Sequence, residues 1–254
     1  MNVDCCIEEL LWRRGLTHVA GVDEAGRGAW AGPVVAGAVV FPPFSPVVAA
    51  LLEPNPGFPG IRDSKQLSRA QRTAADAAIR GVATAVGVGI VPVEVVDEFG
   101  LSCAGQLAFW RAVSGLGMEP EYVIVDGFPL WSTRYRQLAI IDGDACAASI
   151  AAASIIAKVA RDAIMMELDE TFPGYAFKSN VGYGTPAHRR ALREQGPSAQ
   201  HRTSYRPVAT LGRGESPGEN GGESLDVDGG ESLRVERGEF LEADGGESLR
   251  SELQ

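Results

Sequence analysis

The chain has 254 residues, of which 45% are hydrophobic and 22% charged, as in a globular protein long enough to bury a core without disulfide or metal staples. No apolar run reaches the roughly 18 residues of a membrane span, and the first 14 residues place acidic side chains before apolar ones, opposite to a secretory signal. The four cysteines form no CxxC pair, which argues against a zinc site and favours reduced thiols in a cytoplasmic protein without membrane attachment.

The net charge of −10 is concentrated at the C-terminus, where residues 211–254 carry 12 acidic and 4 basic side chains. Residues 1–210 have 21 acidic and 19 basic ones, so this near-neutral part can still present a basic groove. The tail repeats Gly-Gly-Glu-Ser-Leu from Gly221, Gly229 and Gly245. So little apolar surface cannot offset chain entropy, and we predict that 211–254 is disordered.

Strand-like and helix-like stretches alternate along the rest of the chain. Apolar, strand-like runs lie at 18–23, 33–41, 86–91, 122–125 and 138–141. Helices are predicted at 68–84, behind a Ser68–Gln71 capping box, at 102–114, at 148–168 and after Thr185-Pro186. The 148–168 helix is apolar nearly all round, which predicts a central, buried position. We expect an α/β fold, a mixed sheet flanked by helices, over residues 18–210, preceded by an N-terminal extension, 1–17.

Acidic residues follow three of the predicted strands: Asp23 with Glu24, then Asp126, then Asp144. Carboxylates at strand ends can line one cleft, although each alone is an ordinary solvated terminus and Asp-Gly is ordinary turn chemistry. A cluster without His or Cys favours Mg²⁺ or Mn²⁺, and two such ions suit in-line attack on phosphorus. Asp23 and Glu24 would point to opposite faces of an ideal strand, so a shared site requires the chain to turn there, near Gly26.

Two other enzyme classes are not favoured. The glycines at 26, 28 and 32 have the spacing GxGxxxG instead of the dinucleotide-binding GxGxxG, and no P-loop Gly-Lys-Ser follows. The GxSxG elbow of a serine hydrolase is missing from the sequence.

Several segments, in order from about residue 18 to 208, together resemble the ribonuclease HII family. They are 21–28 (Gly-Val-Asp-Glu-Ala-Gly-Arg-Gly), 63–68 (Asp-Ser-Lys-x-Leu-Ser), 125–127 (Val-Asp-Gly), 143–144 (Gly-Asp), the Ala/Ile-rich 149–162 ending in Arg-Asp, 182–188 (Gly-Tyr-x-Thr-x-x-His) and 201–205 (His-Arg-x-Ser-Tyr). Each segment alone is common, whereas the ordered set is specific.

The resemblance implies an RNase H-like fold with a helical C-terminal portion, and a catalytic, metal-binding set of Asp23, Glu24, Asp126 and Asp144 that uses Mn²⁺ or Mg²⁺. It implies hydrolysis of the RNA strand of RNA–DNA hybrids and nicking 5′ of single ribonucleotides embedded in duplex DNA. Two metal ions would support the reaction and leave a 3′-hydroxyl and a 5′-phosphate. The expected partners are these nucleic acids, and the expected roles are ribonucleotide excision repair and DNA replication.

The resemblance also implies substrate-binding residues. The Gly26–Arg27–Gly28 turn is expected to sense the 2′-hydroxyl through its backbone, Tyr183 to stack on the sugar at the RNA–DNA junction, and Ser64 and Lys65 to contact phosphate. Arg27 and Lys65 could instead be solvated cations, and Tyr183 a half-buried core residue. Structural roles are open for further polar residues: Ser149, Ser154, Lys158, Arg161, Asp162 and His188.

Two features depart from the family pattern. Many relatives have lysine where this chain has Asp142, and we predict a higher metal requirement here. The acidic tail is either a dispensable, solubilising extension or a partner-binding or autoinhibitory segment that mimics nucleic acid. We expect a monomer, and no motif for a sliding clamp is recognisable at the C-terminus.

Three alternative functions stay open at this stage. A ribonuclease HIII-like nuclease would share the chemistry but act less on single ribonucleotides; such relatives usually carry an extra N-terminal domain, whereas about eighteen residues precede the first motif here. A catalytically silent hybrid-binding module is disfavoured by the presence of all four acids. Another nuclease or integrase on the same fold is disfavoured by the Gly-Arg-Gly turn and Tyr183.

Overall fold

The computed structural model describes residues 3–55 and 58–212 and the backbone of 241–242. Five strands form its central sheet: β1 (Val19–Ala25), β2 (Val34–Val40), β3 (Ala85–Val91), β4 (Tyr122–Asp126) and β5 (Arg136–Ile140). They lie in the order β3-β2-β1-β4-β5. The β1–β2 and β2–β3 pairs are antiparallel, whereas β1, β4 and β5 run parallel. Each strand lies at an apolar run that predicted one, so the mixed sheet is confirmed.

The C-terminal tail is described at few positions. A two-residue strand, β6 (Leu241–Glu242), pairs antiparallel with β5. The other residues beyond Gly212 lie outside the described residues, and the predicted disorder of the tail therefore stays a prediction there.

The helices are α1 (Cys6–Arg13), α2 (Pro46–Leu52), α3 (Arg69–Val82), α4 (Val93–Ser114), α5 (Ala148–Thr171), α6 (Phe177–Asn180), α7 (Pro186–Gln195) and α8 (Arg206–Gly212). Short 3₁₀ turns lie at Ser64–Gln66 and Gly143–Ala145. The predicted capping box of α3 is confirmed, because the Gln71 N–H donates to Ser68 Oγ and the Ser68 N–H donates to Gln71 Oε1. At α7, Thr185 is the N-cap and Pro186 the first helical residue, as predicted.

Two apolar layers cover the two faces of the sheet. One lies between the sheet and α1, α3 and α5, and includes Ile124 and Ile155, both fully buried. The other lies between the sheet and α4, with Val125 and Phe109. Helix α5 is buried along its first ten residues, which confirms its predicted central position. It approaches closely because Gly37 of β2 has no side chain; a Cβ there would collide with the Ala153 carbonyl.

The helical C-terminal portion packs on the far half of α5. Met165 of α5, Tyr175, Phe177 and Leu192 form a third apolar cluster, and Trp30 from the turn after β1 packs against it. The resemblance-based prediction of a helical C-terminal portion is confirmed. This packing joins the segment after residue 171 to the segment that leaves β1.

The described part of the predicted N-terminal extension packs on the same core. Leu11 and Trp12 of α1 are buried in the layer beneath the sheet. Glu8, 1% exposed, accepts hydrogen bonds at Oε1 from the Ser149 N–H (2.8 Å) and hydroxyl (2.6 Å). Ala147, the N-cap of α5, supplies no side-chain cap, so Glu8 satisfies orphan donors at the start of the central helix. Among the residues described, no helix is long and apolar enough to cross a membrane.

Candidate active site at the carboxyl ends of the parallel strands

The four predicted carboxylates lie at one edge of the sheet. Because β1, β4 and β5 are parallel, their carboxyl ends meet at the same edge. Asp23 and Glu24 stand near the end of β1, Asp126 is the last residue of β4, and Asp144 lies in the 3₁₀ turn after β5. In the β1–β4 pairing Val22 lies opposite Val125, so Asp23 and Asp126 follow at the same level.

Asp23 is oriented from the side of α5. It is 5% exposed, and its Oδ1 accepts from the Glu24 N–H at 2.6 Å. The Ser154 hydroxyl of α5 also hydrogen-bonds this carboxylate and favours its charged form. Ser154 Oγ lies 2.8 Å from Ser64 Oγ, so a chain of hydroxyl groups links Asp23 to the 3₁₀ turn at Ser64.

Glu24 follows Asp23 in the same strand. Strand β1 stays extended through Ala25, and the chain turns only at Gly26, where φ is +96°. The turn that the sequence analysis expected at Asp23 and Glu24 therefore lies just after the strand, beyond both residues. The two side chains alternate along the extended strand. Glu24 Oε1 lies 3.6 Å from Arg27 Nε, which connects the carboxylates to the glycine-rich turn.

Asp126 and Asp144 are joined through the backbone of the turn after β5. Asp126 Oδ1 accepts from the Gly143 N–H at 2.7 Å, which fixes the end of β4 against the residue before Asp144. Asp144, 6% exposed, has its Oδ2 3.3 Å from the Lys65 ammonium group. Asp142, the departure from the family pattern, is exposed in the left-handed region at φ +55°.

The site disfavours the charged forms of three acids: Asp23, Glu24 and Asp126. Burial, with the Asp144 charge, raises the pKa of Asp126 from 3.8 to about 6. Burial also raises the pKa of Glu24 from 4.5 to about 7, against the opposing effect of Arg27. The pKa of Asp23 lies well above its ordinary value because of burial and then the charges of Glu24 and Asp126. Such an anionic cluster is stabilised by added positive charge.

Lys65 supplies positive charge at this edge. Although partial burial acts to lower the pKa of Lys65, the Asp144 carboxylate raises it above its ordinary value. Within residues 3–55 and 58–212, no three His, Cys, Asp or Glu side chains converge as metal ligands. The donor set nevertheless fits a hard divalent cation, since it consists of carboxylate oxygens and contains no His or Cys.

The glycine-rich turn and Tyr183 lie side by side. A Cβ added at the exposed Gly28 would be 3.9 Å from Tyr183 Cε1. Tyr183 is 40% exposed, unlike the core aromatics, and its ring centroid is 5.9 Å from the Lys158 ammonium group. Since Arg27 also contacts Glu24, the turn, the tyrosine and the carboxylates form one continuous surface.

Ser64 and Lys65 reach the same edge with different accessibility. The Lys65 side chain is 80% exposed, whereas Ser64 is 4% exposed with its hydroxyl engaged by Ser154. The phosphate contact predicted for both residues stays a prediction. In addition, the Ser64 hydroxyl hydrogen-bonds the Ser154 hydroxyl.

Arg72 of α3 is a supporting residue that the sequence did not single out. Its Nη1 donates to the carbonyls of Ser64 and Leu67, and its Nη2 lies 3.2 Å from Asp162. Lys158 pairs with the same carboxylate at 2.7 Å, so Asp162, whose role the sequence left open, is an ion-pair partner of Arg72 and Lys158. Arg72 resembles any other arginine of an amphipathic helix, so no sequence signal marked it.

A buried histidine pair holds the backbone of Tyr183. His201 Nδ1 accepts from the Ser198 N–H, so the proton of its neutral ring is on Nε2. That N–H donates to His188 Nε2 at 2.9 Å, and His188 Nδ1 donates to the Tyr183 carbonyl, also at 2.9 Å. Burial lowers the pKa of both rings, that of His201 to about 4. His188, whose role the sequence left open, therefore supports the backbone of Tyr183.

Sequence comparison identifies the family. A family model described as Ribonuclease HII matches residues 20–208. The Ribonuclease HII of Synechococcus sp. (strain JA-3-3Ab) is 47% identical over 208 residues, which cover 82% of this chain and 90% of that protein. The Ribonuclease HII of Chloroflexus aggregans is 44% identical over 211 residues, covering 83% of this chain and 97% of the relative.

Solved structures share the fold. The ribonuclease H2 of Pyrococcus horikoshii OT3 superposes with a TM-score of 0.63 at 24% identity, covering 77% of this chain and 97% of that one. The RNase HII of Archaeoglobus fulgidus, solved in a complex with PCNA, gives 0.62 at 27% identity, with 76% and 96% covered. Bst-RNase HIII in complex with Mn²⁺ gives 0.55 at 20% identity, with 80% and 72% covered.

These findings confirm the resemblance drawn from the ordered motifs and the RNase H-like fold. The matching region, 20–208, contains all four carboxylates, the glycine-rich turn and Tyr183. The chain belongs to the ribonuclease HII family and is an endoribonuclease of the ribonuclease H type.

Proposed function

We propose that the protein hydrolyses the RNA strand of RNA–DNA hybrids and nicks duplex DNA 5′ of a single embedded ribonucleotide, leaving a 3′-hydroxyl and a 5′-phosphate. One observation carries the proposal: a buried carboxylate cluster is continuous with an exposed glycine turn and tyrosine, through Arg27 and Glu24. Family membership supports hydrolysis of hybrids, and the turn beside Tyr183 supports recognition of a single ribose.

The proposal assigns the divalent cations, Mn²⁺ or Mg²⁺, to Asp23, Glu24, Asp126 and Asp144. The chemistry that two such ions supply when bound is activation of a water and stabilisation of the leaving oxygen. The protein orients the acids beforehand: the Gly143 N–H holds Asp126, and the Glu24 N–H holds Asp23. The Mn²⁺ complex of Bst-RNase HIII, similar in fold, supports the choice of cation.

The substrate-binding residues act on the ribose and the phosphates. The Gly26–Arg27–Gly28 turn binds the 2′-hydroxyl with backbone groups, and Tyr183 stacks on the adjoining sugar. Deoxyribose lacks that hydroxyl, so a backbone donor would lose its partner when DNA occupies the site, which disfavours cleavage there. Lys65 binds phosphate, since its exposed ammonium group is free to leave Asp144 once that carboxylate is neutralised.

The cellular setting is also part of the proposal. We place the protein in the cytoplasm as a monomer that acts in ribonucleotide excision repair and DNA replication. The PCNA complex of the Archaeoglobus fulgidus RNase HII makes a sliding clamp a partner to test for this chain. Light scattering of the purified protein, alone and with the clamp of the same cell, tests both the monomer and the complex.

The experiment for the proposed function compares two labelled substrates with Mg²⁺, Mn²⁺ or chelator: a DNA duplex with one ribonucleotide and a long RNA–DNA hybrid. We expect cleavage of both, with the nick 5′ of the single ribonucleotide. Cleavage of the long hybrid alone would establish the ribonuclease HIII-like alternative. Tight binding without cleavage of either would establish a silent binding module.

A further inference from the structure

Two arginines, Arg161 of α5 and Arg202, are completely buried behind the glycine-rich turn. Both are 0% exposed, and within the described part of the chain neither forms a salt bridge with a carboxylate. A buried cation without an anionic partner is costly unless hydrogen bonds replace its hydration. Here backbone carbonyl groups provide those bonds.

Arg161 binds carbonyls of the segments that flank the turn on one side. Its Nε donates to Pro33 O at 3.0 Å, its Nη2 to Ala31 O at 3.0 Å and its Nη1 to Val181 O at 2.9 Å. It thereby ties the segment before β2 to the residues just before Tyr183. The planar guanidinium presents these donors from three separate nitrogens in fixed directions, an arrangement that the single nitrogen of a lysine ammonium group does not reproduce.

Arg202 binds the carbonyls on the other side. Its Nε and Nη2 donate to Gly32 O at 3.1 and 2.9 Å, and its Nη1 donates to Arg27 O at 2.8 Å. The Tyr205 hydroxyl accepts from the same Nη1 at 2.9 Å and donates to Arg27 O at 2.6 Å. The carbonyl of Arg27, the central residue of the turn, therefore has two donors behind it.

The glycine at the start of the turn is shaped by this arrangement. Gly26 has φ +96°, and a Cβ on it would collide with the Arg161 guanidinium. Gly26 is thus required by the group behind the turn as well as by its backbone conformation. Gly28, by contrast, is exposed and meets only Tyr183.

Because the Arg27 carbonyl is bound from inside, the opposite side of the turn is available to a ligand. Among the described residues, the backbone N–H groups of Arg27 and Gly28 have no hydrogen-bond acceptor. Unsatisfied amides at an accessible turn next to an exposed tyrosine are donors placed for an oxygen of a ligand.

We propose that Arg161, Arg202 and Tyr205 are positioning residues for ribose recognition. Arg202 and Tyr205 bind the Arg27 carbonyl of the turn from inside, and Arg161 fixes the flanking segments by binding the carbonyls of Ala31, Pro33 and Val181. Together they direct the Arg27 and Gly28 amides toward the substrate. This inference rests on the proposed function of the turn. It predicts that weakening the inner hydrogen bonds reduces the preference for ribose over deoxyribose without a matching loss of general DNA affinity.

The test measures binding in an Asp126→Asn background, which prevents cleavage. The dissociation constants are determined for a duplex with one ribonucleotide and for the all-DNA duplex of the same sequence, and their ratio is the ribose preference. Tyr205→Phe removes only the hydroxyl behind Arg27 O, and Arg202→Lys keeps the charge but loses the fork. A matched control is Tyr175→Phe, which removes another phenol-to-carbonyl bond, the 2.8 Å bond to Gly196 O, whose acceptor does not belong to the turn.

We expect the ribose preference to fall about threefold to tenfold in Tyr205→Phe, the equivalent of one neutral hydrogen bond, and further in Arg202→Lys, with no change in Tyr175→Phe. A preference kept in Tyr205→Phe would overturn the inference, even if Arg202→Lys failed to fold. A parent protein without any ribose preference would overturn the proposed function of the turn, and this inference with it.

Discussion

Replacing Asp126 with asparagine is expected to stabilise the metal-free protein while it abolishes hydrolysis. The pKa of Asp126 is raised from 3.8 to about 6, by burial and by Asp144. At about 1.4 kcal/mol per pKa unit, keeping this group ionised above pH 7 costs the folded state about 3 kcal/mol. Asparagine removes the charge and can still accept the Gly143 N–H, so the expected gain is about 1–3 kcal/mol.

The sign of the pH dependence follows from the raised pKa. The protonated carboxyl is favoured in the folded state, so stability is fully present below pH 3.8 and is lost as the pH rises through about 6. Urea unfolding in chelator, at pH values from 4.5 to 8, measures the free energy of unfolding for wild type and Asp126→Asn. The difference should grow up to about pH 7 and then level off.

A control variant separates the effect of the carboxylate cluster from that of removing any carboxylate. Glu170→Gln, at an exposed position of α5, should change the free energy of unfolding little at any pH. Saturating Mg²⁺ should stabilise wild type more than Asp126→Asn, because binding to the folded state adds stability. An asparagine variant that is less stable than wild type at pH 8 in chelator would refute the electrostatic account of the cluster.

Three further predictions concern residues around the site. Asp142→Lys should lower the Mg²⁺ concentration for half-maximal activity, because a lysine supplies positive charge beside Asp126, whose pKa the Asp142 charge raises. Equal Mg²⁺ titrations of wild type and Asp142→Lys would contradict this. Asp142→Asn separates the loss of the anion from the gain of the cation. Glu8→Ala should cost about 1–3 kcal/mol in urea unfolding and Glu8→Gln less, because alanine leaves the N–H and hydroxyl of Ser149 without their acceptor; equal costs would argue against the cap. Burial lowers the pKa of His201 to about 4, so the free energy of unfolding of the protein should fall by on the order of 3 kcal/mol as the pH falls from 6.5 toward 4. The same dependence of the unfolding free energy on pH in His201→Gln would exclude this ring as the cause.

Local patterns account for what the sequence predicted. The five strands and α5 were found from apolar runs bounded by turn residues, and the α3 and α7 starts from caps next to them in sequence. The acids at the strand ends were found for the same reason, since an acidic residue close to a glycine after an apolar run is visible in a few residues. The edge of the sheet then brings those ends together without further information.

Contacts between distant segments explain what the sequence missed. Helix α4 is broken at Gly100, where φ is +82°. The part after this break corresponds to the predicted helix at 102–114, whereas the part that begins at Val93 was not predicted. The cap that Glu8 gives to α5 spans 141 residues, and the bond from Arg202 to Arg27 O spans 175. No local spacing encodes such pairs. The sequence motifs marked Arg27 and Arg202 but not their contact, and nothing in the sequence marked Glu8.

We expect the four carboxylates to act together in metal-dependent hydrolysis. The most direct measurement is single-turnover cleavage of an RNA–DNA hybrid with Mg²⁺ and with Mn²⁺ by Asp23→Asn, Glu24→Gln, Asp126→Asn and Asp144→Asn, beside wild type and the control Glu170→Gln. Each of the four variants should cleave at least about a hundredfold more slowly than wild type, as for removal of a group that stabilises the transition state. The control and wild type should cleave at equal rates and only with metal. Cleavage at the wild-type rate by any of the four, or by wild type in chelator, would contradict this expectation.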